Sequence, residues 1–526
     1  RGRHVVMFVH GVPVMYSPFW NQNIGDRNFM SFAPGYNSRM SAYLLTAFSY
    51  RLSRKVEAAT HVDLRARRGL GLGQDILWSA SGNATELSTE RYMDRDDDDF
   101  WSFSSWSSRD RSDDEKEEDK WAGDLIAYGI QDRWPDEGEA QAYPLDHERY
   151  RVRLYHNQSF TDRDYFMGQI NYLSDPKIIE QFFRREYKSS PEPDNYLVFG
   201  HRAERLSLSL SAERRLNDFY TAVDRLPELT LDFRRQRIGQ SPFFYQGETV
   251  GGYLEKNWES NLTNASDYAA GRLHTEHRLY YPTKQAGFLN LIPRVGWRGT
   301  AYSATKEDVT NVVTTIVVGT NGVLRTNTAS RVTAREMDAE FRSYPELGLE
   351  TSFKAFKVWQ THPGDIINNV RHIVEPYADY TLAPEPNVTP DRLYDFDAID
   401  TLDRLNQVQL GLRNKIQTQR FGRLPSRPHT VADLINADVW IIYRLDPREN
   451  ENTFSNVCWD VRSTPFPWME LKVDGAYDPY TNQVETLNTR LSLNDRTLWR
   501  YYIEHRFARD DNSLLNSALT LTPFAA

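Results

Sequence analysis

The sequence feature that most constrains the fold is a period-two alternation of side chains, clearest in residues 55–67, KVEAATHVDLRAR. Apolar or small side chains occupy the even positions, and nearly every odd position is charged. This pattern predicts a β-strand with one apolar and one charged face. The apolar face would point inward in a soluble barrel and outward, toward lipid, in a membrane barrel.

Alternation of the same kind recurs along the chain and predicts an all-β fold. It is found in residues 206–212, 229–233 and 408–418 and in a series of predicted hairpins between 469 and 521. Turn-forming pairs such as Asp478-Pro479 separate these hairpins. No run of about 18 apolar residues occurs, so the sequence predicts no transmembrane helix. A transmembrane β-barrel stays open, because only every second residue of its strands meets lipid.

Strand length and charge favour the membrane orientation. A strand of about 13 residues at about 3.3 Å each reaches roughly 43 Å, which is enough to cross the hydrocarbon layer of a membrane when tilted. Charged side chains in a closed soluble core would each cost several kcal/mol, whereas a large barrel has a wet interior. The residues predicted to face this lumen are Lys55, Glu57, His61, Asp63, Arg65, Arg67, Arg413 and Lys415. They contact a substrate or form a solvated charge lattice, and the lattice is the preferred interpretation for any one of them.

Two stretches depart from alternation and are predicted to be long loops. Residues 79–150 contain the acidic runs DRDDDD and DDEKEED and the tryptophan-rich FWSFSSWSS, which predict a solvated loop. A divalent-cation patch is the alternative for the acidic runs, because hard cations prefer carboxylate oxygens. Residues 384–405 form the second predicted loop. Both are expected on the extracellular side, where outer-membrane barrels carry their long loops.

Motifs of catalysis are missing from the sequence. No nucleophile elbow, zinc-protease helix, Walker loop or metal-ligand spacing occurs, so we expect no enzyme activity, no catalytic residue, no cofactor and no metal site. Paired carboxylates of the glycosidase type are neither signalled nor excluded. The single cysteine, Cys458, cannot form an intramolecular disulfide, and a net charge of -10 argues against nucleic acid as a partner.

Several segments match those of one known family in the same order along the chain. They are HGVPVMYSPFW (10–20), FAPGYNSRMSAYLLT (32–46), RRGLGLGQDILW (67–78), INYLSDPKIIEQFFRREY (170–187), RLPELTLDFRRQRIG (225–239), IPRVGWRGTAY (292–302), RHIVEPYADYTLAPEPN (371–387) and LYDFDAIDTLDRLNQVQLGLRNKIQTQR (393–420). Each is short, but together they cover nearly the whole chain and resemble the LptD family of lipopolysaccharide-assembly proteins, also called organic-solvent-tolerance proteins.

The resemblance implies a large antiparallel transmembrane β-barrel of about 20–26 strands in the bacterial outer membrane. Residues 1–20 would be the end of a periplasmic jelly roll with its junction, and residues 21–526 the barrel. The family is not enzymatic. It receives lipopolysaccharide from an LptA-like periplasmic bridge that docks on the jelly roll, and it inserts the lipid into the outer leaflet. The sugar would pass through the lumen and the acyl chains through a lateral seam. An LptE-like plug lipoprotein, the barrel assembly machinery and outer-membrane lipid are the implied partners.

The resemblance also assigns roles to individual residues. Phe32, Pro34 and Ala47 are the lateral-gate candidates; Pro34 matches the first-strand proline of the family, and a simple strand-start proline is the equal alternative. Ala47 stands where the family pattern has a second-strand proline. The family-motif residues read as structural are Pro13, Ser174, Asp175, Leu226, Pro227, Glu228, Arg371, Glu375 and Pro376.

Local chemistry refines the structural reading of these motifs. Leu226-Pro227-Glu228-Leu229 predicts a turn entering a strand, and Pro376 predicts a bulge or strand boundary. Ser174-Asp175-Pro176 predicts a turn or N-cap before a helical stretch, 178–187.

Two departures from the family leave alternatives open. Most of the jelly roll and the disulfides are missing, so the chain is expected to be a piece truncated at both ends. The alternative interpretations are a general porin or ligand-gated outer-membrane importer and a soluble all-β carbohydrate-binding protein.

Overall fold

A computed structural model describes most of the chain. The described residues are 2–9, 12–20, 29–80, 120–136, 145–262, 265–318, 324–360, 368–420, 430–448, 451–494 and 499–521. The acidic runs and the tryptophan-rich stretch predicted to form a loop, including Asp94–Asp99, lie outside these residues.

Strands dominate the described residues. They are β1 (Gly2–Val9), β2 (Val12–Trp20), β3 (Phe29–Asn37), β4 (Ser41–Ser53), β5 (Val56–Arg65), β6 (Gly69–Ser79), β7 (Trp121–Asp132), β8 (Glu148–Ser159), β9 (Asp164–Leu173), β10 (Tyr196–Arg202), β11 (Leu206–Glu213), β12 (Ala222–Arg237), β13 (Phe244–Asn257), β14 (Tyr268–Tyr280), β15 (Thr283–Gln285), β16 (Leu289–Tyr302), β17 (Thr305–Val318), β18 (Leu324–Met337), β19 (Glu340–Phe353), β20 (Ala355–Trp359), β21 (Asn368–Ala383), β22 (Leu405–Arg420), β23 (Thr430–Arg444), β24 (Val457–Phe466), β25 (Met469–Asp478), β26 (Gln483–Asn494), β27 (Trp499–Ala508) and β28 (Asn512–Leu521).

The helices are short. They are α1 (Ile178–Phe182), α2 (Arg184–Ser189) and one 3-10 turn, Pro390–Arg392. In the part of the chain that is described, none of them has the length and apolar character needed to cross a membrane.

One large antiparallel sheet contains 24 of these strands, β3–β16 and β19–β28, and its hydrogen-bonded order closes on itself as a barrel. The prediction of an all-β antiparallel barrel is therefore confirmed. Strands β1 and β2 pair with each other in a separate two-stranded sheet, as do β17 and β18. The assignment of residues 1–20 to a jelly roll stays a prediction.

The chain divides into two compact units, which are described separately. Unit 1 comprises Arg1–Asp232 and Val250–Leu273, and unit 2 comprises Phe233–Thr249 and His274–Ala526. Unit 1 has an apolar cluster centred on Ile178, Ile179 and Phe182. Unit 2 has a smaller one formed by Tyr302, Val388 and Leu393.

The prediction of one uninterrupted loop over residues 79–150 is wrong, because β7 (Trp121–Asp132) lies inside it. β7 pairs along its length with β6 and β8. It was missed because its inner face is mixed: Tyr128 and Ile130 pack into the cluster of unit 1 on the same face as Asp124 and Asp132, so no uniformly polar face marks the period. Since a strand of an antiparallel sheet joins opposite ends of that sheet, its two flanking segments cannot both be extracellular.

Two prolines predicted at turns or boundaries lie inside strands instead. Pro227 follows a cis peptide bond within β12, and Pro376 lies opposite Leu412 in β21, where pairing is continuous from Arg371 to Ala383. The turn predicted at Pro227 is wrong. Near Pro227 the neighbouring strand has Gly252, and a Cβ there would come within 2.8 Å of the Pro227 carbonyl oxygen. Pro376 lies inside β21, but a strand boundary lies opposite it: the pairing with β19 ends at Tyr377 and the pairing with β20 begins at Val374, so the missing N–H donor falls where the ladder is interrupted.

The turn predicted at Ser174-Asp175-Pro176 does precede helical structure. The Asp175 carboxylate accepts a hydrogen bond from the Lys177 N–H at 2.9 Å. The helical stretch is broken at Phe183, whose φ of -134° and ψ of 52° separate α1 from α2.

Candidate functional site

Strand β5 in unit 1 buries its charges and exposes its aliphatic side chains. His61, Asp63 and Arg65 are 1%, 0% and 3% exposed, whereas Val62 and Leu64 are 41% and 52% exposed. A soluble globule would have the opposite pattern. The membrane orientation predicted from the alternation is therefore the one that the structure has at these positions.

The exposed aliphatic side chains form a continuous outer band. Leu64 lies opposite Leu44 on one side and Leu70 on the other, so the apolar face passes in register from strand to strand. Unit 2 carries exposed aliphatic residues of the same kind on its strands, among them Val295, Leu347, Leu349, Leu410, Leu412 and Val439. Such a surface suits the hydrocarbon interior of a bilayer.

The other predicted lumen residues near β5 do not share one face. Lys55 and Arg67 are exposed in the turns that flank β5; the Lys55 amine lies 5.0 Å from the Trp121 ring, and Arg67 donates to the Ser38 carbonyl at 2.7 Å. Glu57 is buried and accepts a hydrogen bond from Arg51 at 2.8 Å.

Buried charges of unit 1 meet beneath the short helix α1, in what we name the capped cluster. Its members are Asp63, Arg65, Arg68, Asp132, Arg149, Arg151, Asp175, Gln181, Phe182 and Glu186. The expectation of a solvated lattice is wrong for Asp63 and Arg65, because α1 and its apolar neighbours exclude water from this face.

Arg149 is the centre of the capped cluster. Its guanidinium binds both oxygens of Asp175 at 2.9 and 2.6 Å and one oxygen of Asp132 at 3.0 Å, and it also donates to the Gln181 side chain. Arg68 binds the same Asp132 at 2.7 Å and Gln181 at 2.6 Å. Paired, planar contacts of this type satisfy buried charge without solvent.

Phe182 on α1 lies among three guanidinium groups. The guanidinium Cζ atoms of Arg65, Arg68 and Arg149 are 5.2, 5.0 and 5.3 Å from the centre of the Phe182 ring. Each contact of this type contributes about 0.5–2 kcal/mol, the larger value where water is excluded. The neighbouring Arg151 lies 4.1 Å from the Phe183 ring and binds Glu186 of α2 at 2.8 and 2.9 Å. The charges of the capped cluster thus neutralise one another, and most of its side chains are buried.

The lateral-gate candidates are not brought together. Pro34 is exposed inside β3, opposite Leu44, so it is not a strand-start proline. Ala47 is 5% exposed and lies opposite Ser31 and His61, on the face opposite to that of Leu44. Phe32 lies opposite Thr46 on the outer face with Pro34.

Unit 2 has a different polar face, whose ion pairs range from nearly buried ones around Glu346, 7% exposed, to exposed ones such as Lys472 with Glu470. Arg298 binds Glu276 at 2.6 Å and Glu346 at 2.9 Å. Arg294 binds Asp379 at 2.6 Å. These side chains come from β14, β16, β19 and β21, and sequence reasoning missed them because their partners are far apart in the chain.

Arg413 and Lys415, the two predicted lumen residues of unit 2, lie on this face at 47% and 43% exposure. Arg413 lies 3.5 Å from Asp438 and 4.1 Å from the Tyr377 ring centre. Lys415 binds Asp433 at 3.1 Å. Both are therefore exposed members of ion pairs, unlike the buried residues of β5, and the choice between a lattice and a substrate contact stays a prediction for them.

The segment between β21 and β22, predicted as a loop, is tied to unit 2 by buried groups. One oxygen of Asp400 accepts from the Tyr302 hydroxyl at 2.9 Å, and the other accepts from the Phe396 N–H at 3.0 Å. Arg342, 1% exposed, donates to the carbonyl of Asp400 at 3.1 Å and to that of Ile399. No local sequence signal marks the contacts with Tyr302 and Arg342, which join residues 57 or more positions apart.

The family-motif residues have local partners. Arg371 donates to Gln417 at 2.9 Å, and Glu375 lies 3.4 Å from Lys354 and 3.8 Å from Arg413. The remaining motif residues are placed as follows: Ser174 bonds Asp175 at 2.6 Å, Glu228 lies 3.4 Å from Arg225, Leu226 lies in β12, and Pro13 lies opposite Phe8 in the β1–β2 sheet. These contacts agree with a structural role but do not test a transport role.

An antiparallel barrel with aliphatic residues outside and ion pairs inside defines the class of outer-membrane-type β-barrels. Residues 147–522 match the model of the family described as "LptD: LPS transport system D". The chain belongs to the LptD family.

Two solved structures are similar at low scores. One is the ferric yersiniabactin uptake receptor FyuA from Yersinia pestis, with 9% identity, coverage of 94% of this chain and 79% of that chain, and a TM-score of 0.25. The other is the siderophore receptor PiuA from Acinetobacter baumannii, with 9% identity, coverage of 93% and 80%, and a TM-score of 0.22. No curated protein matches the sequence.

Proposed function

We propose that this protein is the outer-membrane component that inserts lipopolysaccharide into the outer leaflet of a bacterial cell. The proposal places the saccharide on the polar face of the barrel and the acyl chains in a lateral seam. Membership of a family of lipopolysaccharide transport proteins supports it. The proposal includes no enzymatic step: the polar groups bind and release a saccharide without changing its covalent bonds.

The observation that carries the proposal is the contrast between the capped cluster of unit 1 and the exposed ion pairs on strands β22–β26 of unit 2. In unit 1, Arg149 and Asp132 are fully buried and neutralise each other. In unit 2, Arg462 and Lys472 keep 54% and 52% of their side-chain surface exposed. Exposed ionic groups bind a polar ligand weakly and reversibly, as transport requires, whereas a sealed cluster does not exchange partners. The saccharide would therefore follow the polar face of unit 2, and the capped cluster would keep its part of unit 1 closed.

Lateral release of acyl chains would use the outer face near Pro34. A proline inside a strand removes one ladder donor and weakens pairing locally. The partners follow from the family: an LptE-like plug lipoprotein, an LptA-like periplasmic bridge docking on a jelly roll, and the barrel assembly machinery.

Depletion of the full-length protein in its own cells tests the proposal. We expect lipopolysaccharide at the cell surface to fall while lipopolysaccharide accumulates inside, and expression of the wild-type gene should restore both. Unchanged surface lipopolysaccharide, together with a lost uptake of small solutes, would contradict the proposal and favour a porin or importer.

Crosslinking tests the seam. A photo-reactive side chain at Pro34 should trap lipopolysaccharide more than one at Leu347, an exposed outer-face position on β19. Equal trapping at the two positions would contradict release of acyl chains near Pro34.

A further inference from the structure

The polar face of strands β22–β26 in unit 2 carries two adjacent bands of opposite charge. Strand register places Asp438, Asp460 and Asp474 directly opposite one another on β23, β24 and β25. We name these three residues the acidic band. Like charges in direct opposition destabilise a sheet. At the ends of the acidic band, Arg413 lies 3.5 Å from Asp438 and Asn488 donates to Asp474 at 2.8 Å, and each carboxylate keeps further acceptor capacity for a ligand.

A basic band runs beside the acidic band. The register aligns Arg462 on β24 with Lys472 on β25 and with Arg490 on β26. On the other side, Arg462 lies opposite Asn436 of β23, which lies opposite Lys415 of β22. Arg462 and Lys472 are two residues along their strands from Asp460 and Asp474, a distance of about 6.8 Å. Neighbouring strands are about 4.8 Å apart, so four basic side chains lie across roughly 19 Å of wall.

The basic band is accessible to solvent, but a neighbouring carboxylate competes with any ligand for its cations. Lys415, Arg462 and Lys472 are 43%, 54% and 52% exposed. Glu470 lies 2.6 Å from Arg462 and 3.5 Å from Lys472, so one carboxylate serves two cations. Arg490 is exposed, with its guanidinium 4.9 Å from the Tyr502 ring. A simple anion meets acidic groups on both sides of the basic band, which weakens its binding.

A ligand that presents anionic groups and hydroxyl groups together matches both bands. Phosphate or carboxylate groups accept hydrogen bonds from the guanidinium and ammonium groups. Sugar hydroxyls donate hydrogen bonds to ionised aspartates, which are acceptors only. Among the described residues, no group of three or more acidic, His or Cys side chains is arranged to hold a metal ion, so hydroxyl donors are the better partners for the acidic band.

We infer that the two bands are a contact site for a phosphorylated saccharide, with phosphate on Arg462, Lys472 and Arg490 and sugar hydroxyls on the acidic band. This inference rests on the proposed function, because it names the part of the saccharide that each band recognises. Neither band closes around the ligand, so the contact is weak and allows the saccharide to move on.

The test measures binding by the purified full-length complex in detergent, at low and high salt. The probes are the phosphorylated oligosaccharide left after complete deacylation of lipopolysaccharide, the same oligosaccharide after dephosphorylation, and inorganic phosphate. We expect the phosphorylated saccharide to bind most tightly and its affinity to fall with salt, because the contacts are exposed.

Matched double variants assign the contact to the basic band. The double variant Arg462→Gln with Lys472→Gln should lower the affinity for the phosphorylated saccharide about tenfold. It should change the affinity for the dephosphorylated saccharide by less than about twofold. Lys284→Gln with Lys357→Gln removes the same charge from exposed positions outside the band and should change neither. Heat-modified mobility in gels shows that each variant is folded.

Three results would overturn the inference: wild-type affinity in the band variant, equal loss for both saccharides, or inorganic phosphate binding as tightly as the phosphorylated saccharide. Each is independent of the depletion experiment. If depletion lowers surface lipopolysaccharide while band variants bind normally, the proposed function stands and the band assignment fails.

Discussion

At the scale of single residues, buried charge in unit 1 depends on complete pairing. Arg149 is fully buried and holds Asp132, Asp175 and Gln181 together. Arg149→Gln would leave Asp175 without its buried cation and Asp132 with Arg68 alone, and breaking a buried pair costs about 3–5 kcal/mol. We expect a loss of that size in urea unfolding of the purified barrel in detergent. Arg67→Gln, at an exposed turn, should cost less than about 1 kcal/mol, and equal losses in the two variants would contradict the role given to Arg149.

Tyr220 provides a residue-scale prediction that depends on pH. Burial, and then the negative charge of Glu192, raise the pKa of its phenol. A phenol whose pKa is raised by folding stabilises the protein fully below its ordinary pKa of about 10, and this contribution is lost as pH rises toward the raised value. The hydroxyl is buried and has no hydrogen-bond partner among the described residues, so Tyr220→Phe should be neutral or slightly stabilising at pH 7.

Above pH 10, we expect Tyr220→Phe to retain more stability than the wild type, measured by urea unfolding between pH 7 and 11. Tyr36→Phe, which changes a side chain that is 70% exposed, is the control. An identical fall with pH for the wild type and Tyr220→Phe would show that the phenol does not contribute.

At the scale of elements, the segment between β21 and β22 should resist proteases. Asp400 and Arg342 fasten it to unit 2 through buried hydrogen bonds. Asp400→Ala removes the acceptor for the Tyr302 hydroxyl and for two backbone N–H groups. Residues 384–404 should then be cut by a protease added to intact cells, if they are extracellular as predicted.

The matched control is Arg392→Ala, which removes an exposed ion pair with Glu340. It should leave the segment resistant. Cutting of Asp400→Ala only after the cells are broken open would place the segment on the periplasmic side and overturn the predicted topology.

Sequence reasoning succeeded for elements whose two faces differ. The alternation in residues 56–65 gave β5 and its orientation, because Val62 and Leu64 face lipid and Asp63 does not. It failed for β7, whose inner face mixes apolar Tyr128 and Ile130 with the buried Asp132. It also failed at Pro227, which lies inside β12, because a local turn signal does not show how far a strand extends.

At the scale of the whole molecule, the family and the barrel were predictable from the sequence. Which charged side chains are buried and which are exposed was not. Local pattern shows which residues share a face but not what covers that face. The capped cluster joins Arg68 to Gln181, 113 positions away in sequence. The bands on β23–β26 likewise depend on register, which follows from pairing across hairpins rather than from any single strand.

The most direct test of the account is the accessibility of the two faces of β24. Single cysteines at Asp460 and Arg462, on the polar face, and at Trp459 and Val461, on the apolar face, would be introduced with Cys458→Ser into the full-length protein in cells. A water-soluble thiol reagent should label positions 460 and 462, and only a lipophilic reagent should label 459 and 461. Uniform labelling by the water-soluble reagent, or the reverse pattern, would contradict a lipid-facing apolar surface and a hydrated polar wall.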